Sequence, residues 1–170
     1  MSAPIRTIAV VGAGPTGQRL AAQLAGAGYR TILEDLSGQR RRALGVDPAL
    51  GRVELGEDLE RVAAQADLIL EAAPDDLETK FEVYTLLDRA AAPACIFAAT
   101  SPAWPVGEIA SLTYRGPNVA GLWILPEGHG IVAGPETSRQ TLTAVAQVAR
   151  ALEPWNDRIF SSKEKTASGL

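Results

Sequence analysis

The feature that most constrains the fold is a run of glycines placed directly after a short apolar segment. Residues 7–11, Thr-Ile-Ala-Val-Val, are β-branched and apolar throughout, which is typical of a strand buried on both faces of a sheet. Gly12, Gly14 and Gly17 follow with the spacing G-x-G-x-x-G. Residues 16–27 then carry the periodicity of a helix. This order of strand, glycine turn and helix predicts the first unit of a parallel α/β sheet.

Each glycine of the turn has a physical task in binding a dinucleotide. Gly12 makes the tight turn, Gly14 lets a pyrophosphate approach the backbone, and Gly17 allows the helix to pack closely on the strand. The start of the helix adds unpaired N–H groups and a partial positive charge, which attract phosphate. Asp35 stands at the end of the next predicted strand, where an acid binds the ribose hydroxyls. The residues predicted to hold the pyrophosphate are Gly12, Ala13, Gly14, Pro15, Thr16 and Gly17.

The choice between NAD and NADP depends on the charges beside the ribose. The carboxylate of Asp35 repels a 2′-phosphate and so favours NAD. The run Arg40–Arg42 tempers that preference, because an arginine near the ribose accommodates the phosphate. The same run is also typical of a solvated helix face, and the glycine turn itself is also compatible with a fold that has lost its ligand.

Apolar segments alternate with helical patterns along the rest of the chain. Strands alternating with helices indicate a doubly wound, mostly parallel α/β sheet of the Rossmann type, with helices on both faces. One dinucleotide-binding domain is predicted over residues 1–160, followed by a polar tail over 161–170. Further strands are predicted at 31–33, 52–55, 67–72, 95–99, 119–125 and 155–160. Helices are predicted around Arg40–Arg42, at 58–65, along the apolar stripe Leu77, Phe81, Tyr84 and Leu87, and from Ser138 to Leu152.

Composition excludes several classes of protein. A length of 170 residues suits one domain, and a net charge of −4 argues against a nucleic-acid-binding surface. Cys95 is the only cysteine, so neither an intramolecular disulfide nor a cysteine-based zinc site is expected, and no metal is predicted. No apolar stretch of 18 residues exists, and the first residues lack the pattern of a signal peptide. We therefore expect a cytoplasmic protein without membrane spans.

Three segments resemble one family in chain order. Residues 71–80, EAAPDDLETK, resemble the segment E-A-x-x-E-x-L-x-x-K of the NAD-binding domain of 3-hydroxyacyl-CoA dehydrogenases. Residues 96–102, IFAATSP, and the following 105–110 resemble that family's I-F-A-S-N-T-S-S and its subsequent I-A. Residues 119–126, VAGLWILP, stand where the family has G-L-H-F-F-N-P. The resemblance implies an NAD-dependent oxidoreductase of fatty acid metabolism that works as a dimer.

The resemblance also implies roles for three polar residues. Asp75 takes the place of a glutamate that contacts NAD, and Lys80 matches a lysine beside the same cofactor. Ser101 matches a serine that touches nicotinamide and substrate. Each has a simpler alternative: Asp75 begins a helix, Lys80 is a solvated partner of Asp76, and Ser101 is an ordinary turn residue before a proline.

The catalytic residues of the family do not carry over. The family uses a histidine, oriented by a glutamate, as the base that deprotonates the substrate hydroxyl. Trp123 takes the histidine position and Ala133 the glutamate position, and neither side chain can act as a base. His129 is the only histidine, in a glycine-rich segment over 127–130 predicted to be a flexible loop. It is a candidate replacement base with Glu127 as partner, although a histidine in such a loop is more often solvated.

Three functions remain open at this point. The chain is a dehydrogenase-like protein with altered activity, a non-catalytic dinucleotide sensor or docking subunit, or a small reductase in which Ser101, His129 or Lys80 acts on another small-molecule substrate. We expect the segment between Asp35 and Arg52 to be too short for the family's coenzyme A-binding helical hairpin, and we expect no counterpart of its helical C-terminal domain within these 170 residues. We therefore expect weak or no family activity. We also expect a homodimer or a partner protein on a surface that includes partly exposed Trp104, Trp123 and Trp155.

Overall fold

The structure is a computed structural model that describes residues 4–37, 39, 42, 44 and 50–152, and the backbone of 159–161. Strands and helices alternate through most of this range. The strands are β1 (Thr7–Val11), β2 (Arg30–Glu34), β3 (Glu54–Leu55), β4 (Leu68–Glu71), β5 (Ile96–Ala99), β6 (Val119–Leu125), β7 (Gly128–Ala133) and β8 (Ile159–Ser161). The helices are α1 (Pro15–Gly26), α2 (Leu59–Gln65), α3 (Leu77–Ala90), α4 (Val106–Ser111) and α5 (Arg139–Ala149), with a 3-10 turn at Gly116–Asn118.

The described strands form one sheet in the order β3-β2-β1-β4-β5-β6-β7-β8. Neighbours are parallel except β6 and β7, which pair antiparallel. The order of the strands reverses at β1: β2 and β3 lie on one side of it, and β4 to β8 lie on the other. Such a reversal leaves a crevice at the carboxyl ends of the strands, where ligands of open α/β sheets bind. The predicted mostly parallel α/β sheet is confirmed.

Helices cover both faces of the sheet, and each face has its own apolar core. Because side chains alternate along a strand, β1 contributes Ile8 and Val10 to one face and Ala9 and Val11 to the other. On the first face α1 and α5 supply Leu20, Leu24, Val145 and Val148. On the second face α2, α3 and α4 supply Val62, Val83, Leu87 and Ile109. Two covered faces explain why the strands are continuous apolar runs.

The apolar stripe predicted for α3 is correct for two of its four residues and wrong for the other two. Leu77 and Phe81 are each 59% exposed, whereas Lys80 and Val83 are buried with Tyr84 and Leu87. The inward face of α3 is therefore rotated from the one that apolar spacing predicts. The reason is electrostatic, because Lys80 points inward to an ion pair with a carboxylate at the end of β4.

The prediction of a flexible loop over residues 127–130 is wrong. Gly128–Ala133 is strand β7, joined to β6 by a tight turn, with Leu125 paired to Gly128 and Ile124 to His129. The reversal brings an antiparallel strand into a parallel sheet, because a two-residue connection can join only antiparallel neighbours.

The predictions for the arginine run, the C-terminal segment and the tryptophans have different outcomes. The predicted strand over 155–160 is observed as Ile159–Ser161, and Trp155 lies outside the described residues. Arg40 and Arg41 also lie outside them, as does the tail beyond Ser161. Of the tryptophans predicted to be partly exposed, Trp104 is half-buried but Trp123 is 7% exposed. Trp123 is therefore a core residue and not part of an exposed patch.

Candidate functional site

The glycine turn leaves β1 at the centre of the sheet and is held by close backbone contacts. Gly12 has a φ of +106°, and its N–H donates to the Glu34 carbonyl at 2.8 Å. A Cβ on Gly12 would lie 2.4 Å from the carbonyl oxygen of Ala72, and one on Gly17 only 1.7 Å from that of Gly12. Both positions therefore require glycine for packing, as the sequence predicts.

Gly14 differs from the other two glycines because nothing lies near it. A Cβ at Gly14 would meet no atom within 4 Å, and its φ of −70° is one that any residue adopts. The open space belongs to a groove between the turn and the segment after β4. Its lining is Ala13, Gly14, Pro15, Thr16, Gln18, Ala72, Ala73 and Pro74. The absence of a side chain at Gly14 keeps this groove open to a ligand.

The first turn of α1 faces this groove with its N–H groups. Gly14 caps the helix without a side-chain hydrogen bond, Pro15 occupies the first helical position, and the first turn contains no acidic residue. Helix N-termini of this kind bind anions through backbone N–H groups and the helix dipole. The groove can thus accept the diphosphate of a dinucleotide.

Asp35 lies directly beyond β2 and is tied to the same turn. One carboxylate oxygen, Oδ2, accepts from the Ala13 N–H and the other, Oδ1, from the Ser37 N–H, both at 2.7 Å. The residue is 4% exposed. The structure thus places Asp35 beside the turn, where the sequence predicts it, and gives it a second task of fixing the turn. Its contact with a ribose stays a prediction.

A buried ion pair joins the end of β4 to helix α3. Lys80 Nζ lies 2.8 Å and 2.9 Å from the two carboxylate oxygens of Glu71, 3.1 Å from the Ala73 carbonyl and 3.2 Å from Asp75 Oδ1. The Tyr84 hydroxyl donates to Glu71 at 3.1 Å. The sequence alternative in which Lys80 is solvated beside Asp76 is therefore wrong. An ammonium has three hydrogens, so these acceptors use all of them.

The ion pair extends towards solvent through Asp75. Ser101 Oγ donates to Asp75 Oδ2 at 2.7 Å and accepts from the Ala103 N–H at 3.1 Å. Trp104 Nε1 donates to the Asp75 carbonyl at 2.9 Å. We call this set the β4–β5 cluster: Glu71, Asp75, Lys80, Tyr84, Ser101 and Trp104. The cluster brings together Asp75, Lys80 and Ser101, for which the sequence predicts separate roles.

Burial governs the protonation of the cluster. Desolvation raises the pKa of the Glu71 carboxyl, and the nearby Lys80 ammonium opposes that rise. Burial and the adjacent Glu71 carboxylate raise the pKa of the Tyr84 hydroxyl well above its ordinary value. Tyr84 therefore stays a hydrogen-bond donor at neutral pH. The sequence predicts Tyr84 only as part of an apolar stripe and Trp104 only as part of an exposed surface, and it gives Glu71 no role of its own. The signal that could have found the cluster is Glu71, an acidic residue at the end of a buried strand.

The hairpin of β6 and β7 carries the positions aligned with the family's base and its partner. Trp123 is folded back against Gly121, with Nε1 2.9 Å from where a Cβ on that glycine would lie. Trp123 and Val132 belong to the core on the α4 side. Ala133 ends β7 opposite Ala120. Neither residue at these aligned positions supplies an ionisable group.

His129 does not join the β4–β5 cluster. It is 3% exposed in β7 and lines a separate cavity. Burial is the main reason that the pKa of His129 is lowered, and the Arg19 charge acts in the same direction. Its imidazole is therefore neutral at pH 7. The other residues of that cavity are Pro15, Thr16, Arg19, Leu20, Gln23, Ile124 and Leu152.

The described residues also bear on metal binding and on membrane insertion. No group of three or more His, Cys, Asp or Glu side chains there is arranged to hold a metal ion. In the same part of the chain, no helix has both the length and the apolar character needed to cross a membrane.

Curated relatives match most of this chain but less than two thirds of their own length. A probable 3-hydroxybutyryl-CoA dehydrogenase of Bacillus subtilis is 25% identical over 87% of this chain and 60% of its own length. The 5-formyl-3-hydroxy-2-methylpyridine 4-carboxylate 5-dehydrogenase of Mesorhizobium japonicum is 26% identical over 87% of this chain and 55% of its own length. The chain thus spans less than two thirds of these relatives.

Solved structures share the fold. FadB2 of Mycobacterium tuberculosis has a TM-score of 0.80 at 22% identity, over 94% of this chain and 65% of that protein. The sequence model of "3-hydroxyacyl-CoA dehydrogenase, NAD binding domain" matches residues 36–154. The predicted cofactor, NAD, agrees with that domain and with the groove at the glycine turn. The chain therefore belongs to the 3-hydroxyacyl-CoA dehydrogenase family, through its NAD-binding domain.

Proposed function

We propose that this chain binds NAD(H) across the carboxyl end of its sheet and does not by itself carry out the family's oxidation of 3-hydroxyacyl-CoA. The observation that carries the first half is the open groove at Gly14, which the N-terminus of α1 faces. Gly12 and Gly17 require glycine for packing, whereas Gly14 meets nothing. A position without a side chain in an otherwise tightly packed turn lets a diphosphate approach the backbone closely.

The positions of the acidic residues assign the two ends of the dinucleotide to opposite sides of the glycine turn. Asp35 follows β2 on one side of the turn, and Asp75 and Ser101 follow β4 and β5 on the other. The adenosine ribose is therefore assigned to Asp35, and the nicotinamide half to the β4–β5 cluster. When bound, NAD supplies the hydride acceptor. The protein's own residues hold the diphosphate by backbone N–H groups and orient the two ends by carboxylates.

The second half of the proposal depends on the missing base. Oxidation of a secondary alcohol by NAD needs a group that takes the hydroxyl proton. Trp123 and Ala133 stand at the family's base and partner positions and supply none. His129 is buried in β7, away from the β4–β5 cluster, and its buried position disfavours the small-reductase alternative.

A non-catalytic sensor or docking subunit is the second candidate. It is favoured by an intact cofactor turn combined with the absence of a base at the aligned positions. A homodimer or a partner protein that completes the substrate site belongs to the same proposal, as does a cytoplasmic location. Light scattering of the purified chain and recovery of partners from cells test the assembly. A monomer without partners would contradict it.

Binding is tested by titrating NADH and NAD⁺ while following tryptophan fluorescence, with calorimetry as an independent measurement. Trp104 donates to the backbone of Asp75 and so reports on that end of the site. In Gly14→Ala we expect the NADH affinity to fall by about tenfold or more, because the new methyl group occupies space that the diphosphate approaches. Its free energy of unfolding should fall by no more than about 1 kcal/mol, because the methyl group meets no protein atom and the only cost is that alanine is a weaker N-cap than glycine.

Gly26→Ala is the matched control for that variant. Gly26 is exposed near the end of α1, and its added Cβ also meets nothing within 4 Å. It should bind NADH as the unchanged chain does. Equal affinities for all three proteins would contradict the assignment of the groove, and no binding of either dinucleotide to the unchanged chain would end the proposal.

Activity is tested separately, with the purified chain, NAD⁺ and a 3-hydroxyacyl-CoA. We expect NADH formation at least about a hundredfold slower than in a family enzyme assayed beside it, because general-base catalysis alone contributes 10²–10⁴-fold. A family-like rate would refute the proposed loss of dehydrogenation while leaving cofactor binding intact.

A further inference from the structure

Large apolar side chains that remain exposed cluster along α3 and the turn after α4. In the part of the chain that the structure describes, three of the five exposed side chains of this kind lie here. Leu77 and Phe81, one helical turn apart on α3, are each 59% exposed, and Tyr114 is fully exposed. The other two, Leu36 and Leu55, lie just beyond β2 and in β3. Exposed apolar side chains that form a patch mark interaction sites, whereas single ones are ordinary features of a surface.

A groove between α3 and the turn after α4 connects these side chains. Phe81 lines the α3 side of the groove, and Leu112 and Tyr114 line the other side. The Tyr114 N–H donates to the Asp88 carboxylate at 3.0 Å, which holds the turn against the last part of α3. Tyr114 therefore lies beside the C-terminal half of α3, whereas Leu77 and Phe81 belong to its N-terminal half.

The charges on the exposed face of α3 are divided between its two ends. Glu78 and Glu82 are exposed in the first half of the helix, and Arg89 is exposed in its last turn. Arg89 contacts Glu60 of α2, yet 66% of its side chain stays exposed. A guanidinium has five N–H donors, so Arg89 can bind a second carboxylate while it keeps Glu60. The helix thus presents a negative end and a positive end, with Glu78 and Arg89 about 16 Å apart along its axis.

Two copies of such a surface can meet about a two-fold axis with their α3 helices either parallel or antiparallel. A parallel pair places Glu78 against Glu78 and Arg89 against Arg89, and both contacts are repulsive. An antiparallel pair places Glu78 of one copy against Arg89 of the other, twice in each dimer. The same reversal brings Tyr114, which lies beside Asp88, to the N-terminal half of the other helix. There it meets the exposed Leu77 and Phe81, so charge and apolar contacts agree for the antiparallel pair alone.

We propose that a second copy of this chain docks here, with the two α3 helices antiparallel and each Tyr114 packed against Leu77 and Phe81 of the other copy. The interface residues, which we call the α3 surface, are Leu77, Glu78, Phe81, Arg89 and Tyr114. The inference rests on the proposed homodimer, to which it assigns a surface, and it does not depend on the binding of NAD(H). Because Leu77 lies two residues after Asp75, the second copy stands close to the solvent side of the β4–β5 cluster.

Sedimentation velocity of the whole chain over a wide range of protein concentration tests the dimer. The mass should be that of a dimer at high concentration and should fall towards that of a monomer on dilution. In Phe81→Asp the dissociation constant of the dimer should rise by about tenfold or more, because a charge replaces an aromatic anchor of the interface. Phe81 is exposed in the single chain, so this variant should keep the circular dichroism spectrum of the unchanged chain.

Leu55→Asp is the matched control, because Leu55 is an exposed apolar residue of β3 outside the α3 surface. It should dimerise as the unchanged chain does. If the unchanged chain is a monomer at every concentration, the exposed side chains are left to a different protein and the inference is overturned.

An exchange of charges tests the antiparallel arrangement. Glu78→Arg and Arg89→Glu should each weaken the dimer by about fivefold or more, because each creates two like-charged pairs across the two-fold axis. The double variant Glu78→Arg/Arg89→Glu restores both pairs with their signs exchanged, so its dissociation constant should return to within about threefold of the original. A double variant that dimerises no better than the single variants would contradict the arrangement. Glu57→Arg is the control for a single change of charge, since Glu57 is exposed and pairs with Arg61 just before α2.

Titration of NADH into the same proteins separates the interface from the proposed function. A dimer that persists unchanged in Phe81→Asp and in both single charge variants would place the interface elsewhere, which overturns the inference and leaves the proposed homodimer. A monomer that binds NADH would refute the homodimer and its surface but not the binding of the cofactor. A dimer that responds to the variants as expected but binds neither NADH nor NAD⁺ would support the α3 surface and refute the proposed binding of the cofactor.

Discussion

At the scale of single residues, the three glycines of the turn separate a packing requirement from a binding requirement. They share one motif, yet the contacts of an added Cβ differ between them. Gly12 and Gly17 would meet backbone carbonyl oxygens at 2.4 Å and 1.7 Å, and Gly14 would meet nothing within 4 Å. A carbonyl fixed in the main chain cannot move aside as a flexible side chain can. Gly12 and Gly17 thus maintain the shape of the turn, whereas Gly14 leaves space for a ligand.

Stability measurements test this division. Gly17→Ala should lower the free energy of unfolding by about 3 kcal/mol, the cost of an overpacked site that cannot relax. Gly26→Ala should raise it by roughly 0.5–1 kcal/mol, since alanine replaces an exposed glycine near the end of α1. Urea unfolding of both variants beside the unchanged chain measures the difference. An unfolding midpoint for Gly17→Ala equal to that of the unchanged chain would show that the turn tolerates a side chain there.

At the scale of elements, the sequence predicts best where an element depends on its own residues. Apolar runs located β1, β4, β5 and β6 to within a residue or two, because strands buried on both faces need such runs. The helix predicted from Ser138 onwards does begin there, with Ser138 as the N-cap of α5, and its Oγ accepts from the Thr141 N–H at 3.1 Å.

Elements whose structure depends on distant residues were predicted less well. The inward face of α3 is set by Glu71, which lies nine residues from Lys80, on a strand. Apolar periodicity counts a lysine as outward-facing and so placed Phe81 in the core. The strand β7 begins at glycines, which have low strand propensity, and is stabilised by pairing with β6.

The candidate site divides in the same way. The turn and Asp35 could be located from local spacing, because the motif lies within one strand-turn-helix unit. Asp75, Lys80 and Ser101 were located through family resemblance, but the direction of their hydrogen bonds was not. That direction depends on Ala103 and Glu71, whose backbone and side-chain positions only the fold brings together.

At the scale of the whole molecule, stability should depend on alkaline pH through buried acids that stay protonated. Burial raises the pKa of the Cys95 thiol from 9.0 to about 12. Above pH 9 the unfolded chain loses this proton while the folded chain keeps it, so the unfolded state binds fewer protons. The free energy of unfolding therefore falls as pH rises from 9 towards 12. Tyr84, whose pKa is also raised, acts in the same direction above pH 10.

Urea unfolding of the unchanged chain and of Cys95→Ala at pH 8, 9, 10 and 11 tests this dependence. Cys95 contributes a loss of about 2 kcal/mol between pH 9 and 11 in the unchanged chain. Cys95→Ala should be less stable at pH 8, because it leaves a small cavity, but its stability should decline less steeply over that interval. Parallel declines in the two proteins would show that the thiol does not titrate differently in the folded and unfolded states.

The central position of β1 has a consequence for how the site behaves when it is empty. All five residues of β1 are buried, and the strand is bonded to β2 on one side and β4 on the other. Amide hydrogens in such a strand exchange with solvent only in the rarest, largest openings of a fold. The glycine turn directly follows this strand. Its phosphate-binding conformation is therefore held by the part of the protein that we expect to be most resistant to local unfolding. The groove should therefore keep its form between one dinucleotide and the next, and exchange of the ligand should proceed without local unfolding of the turn.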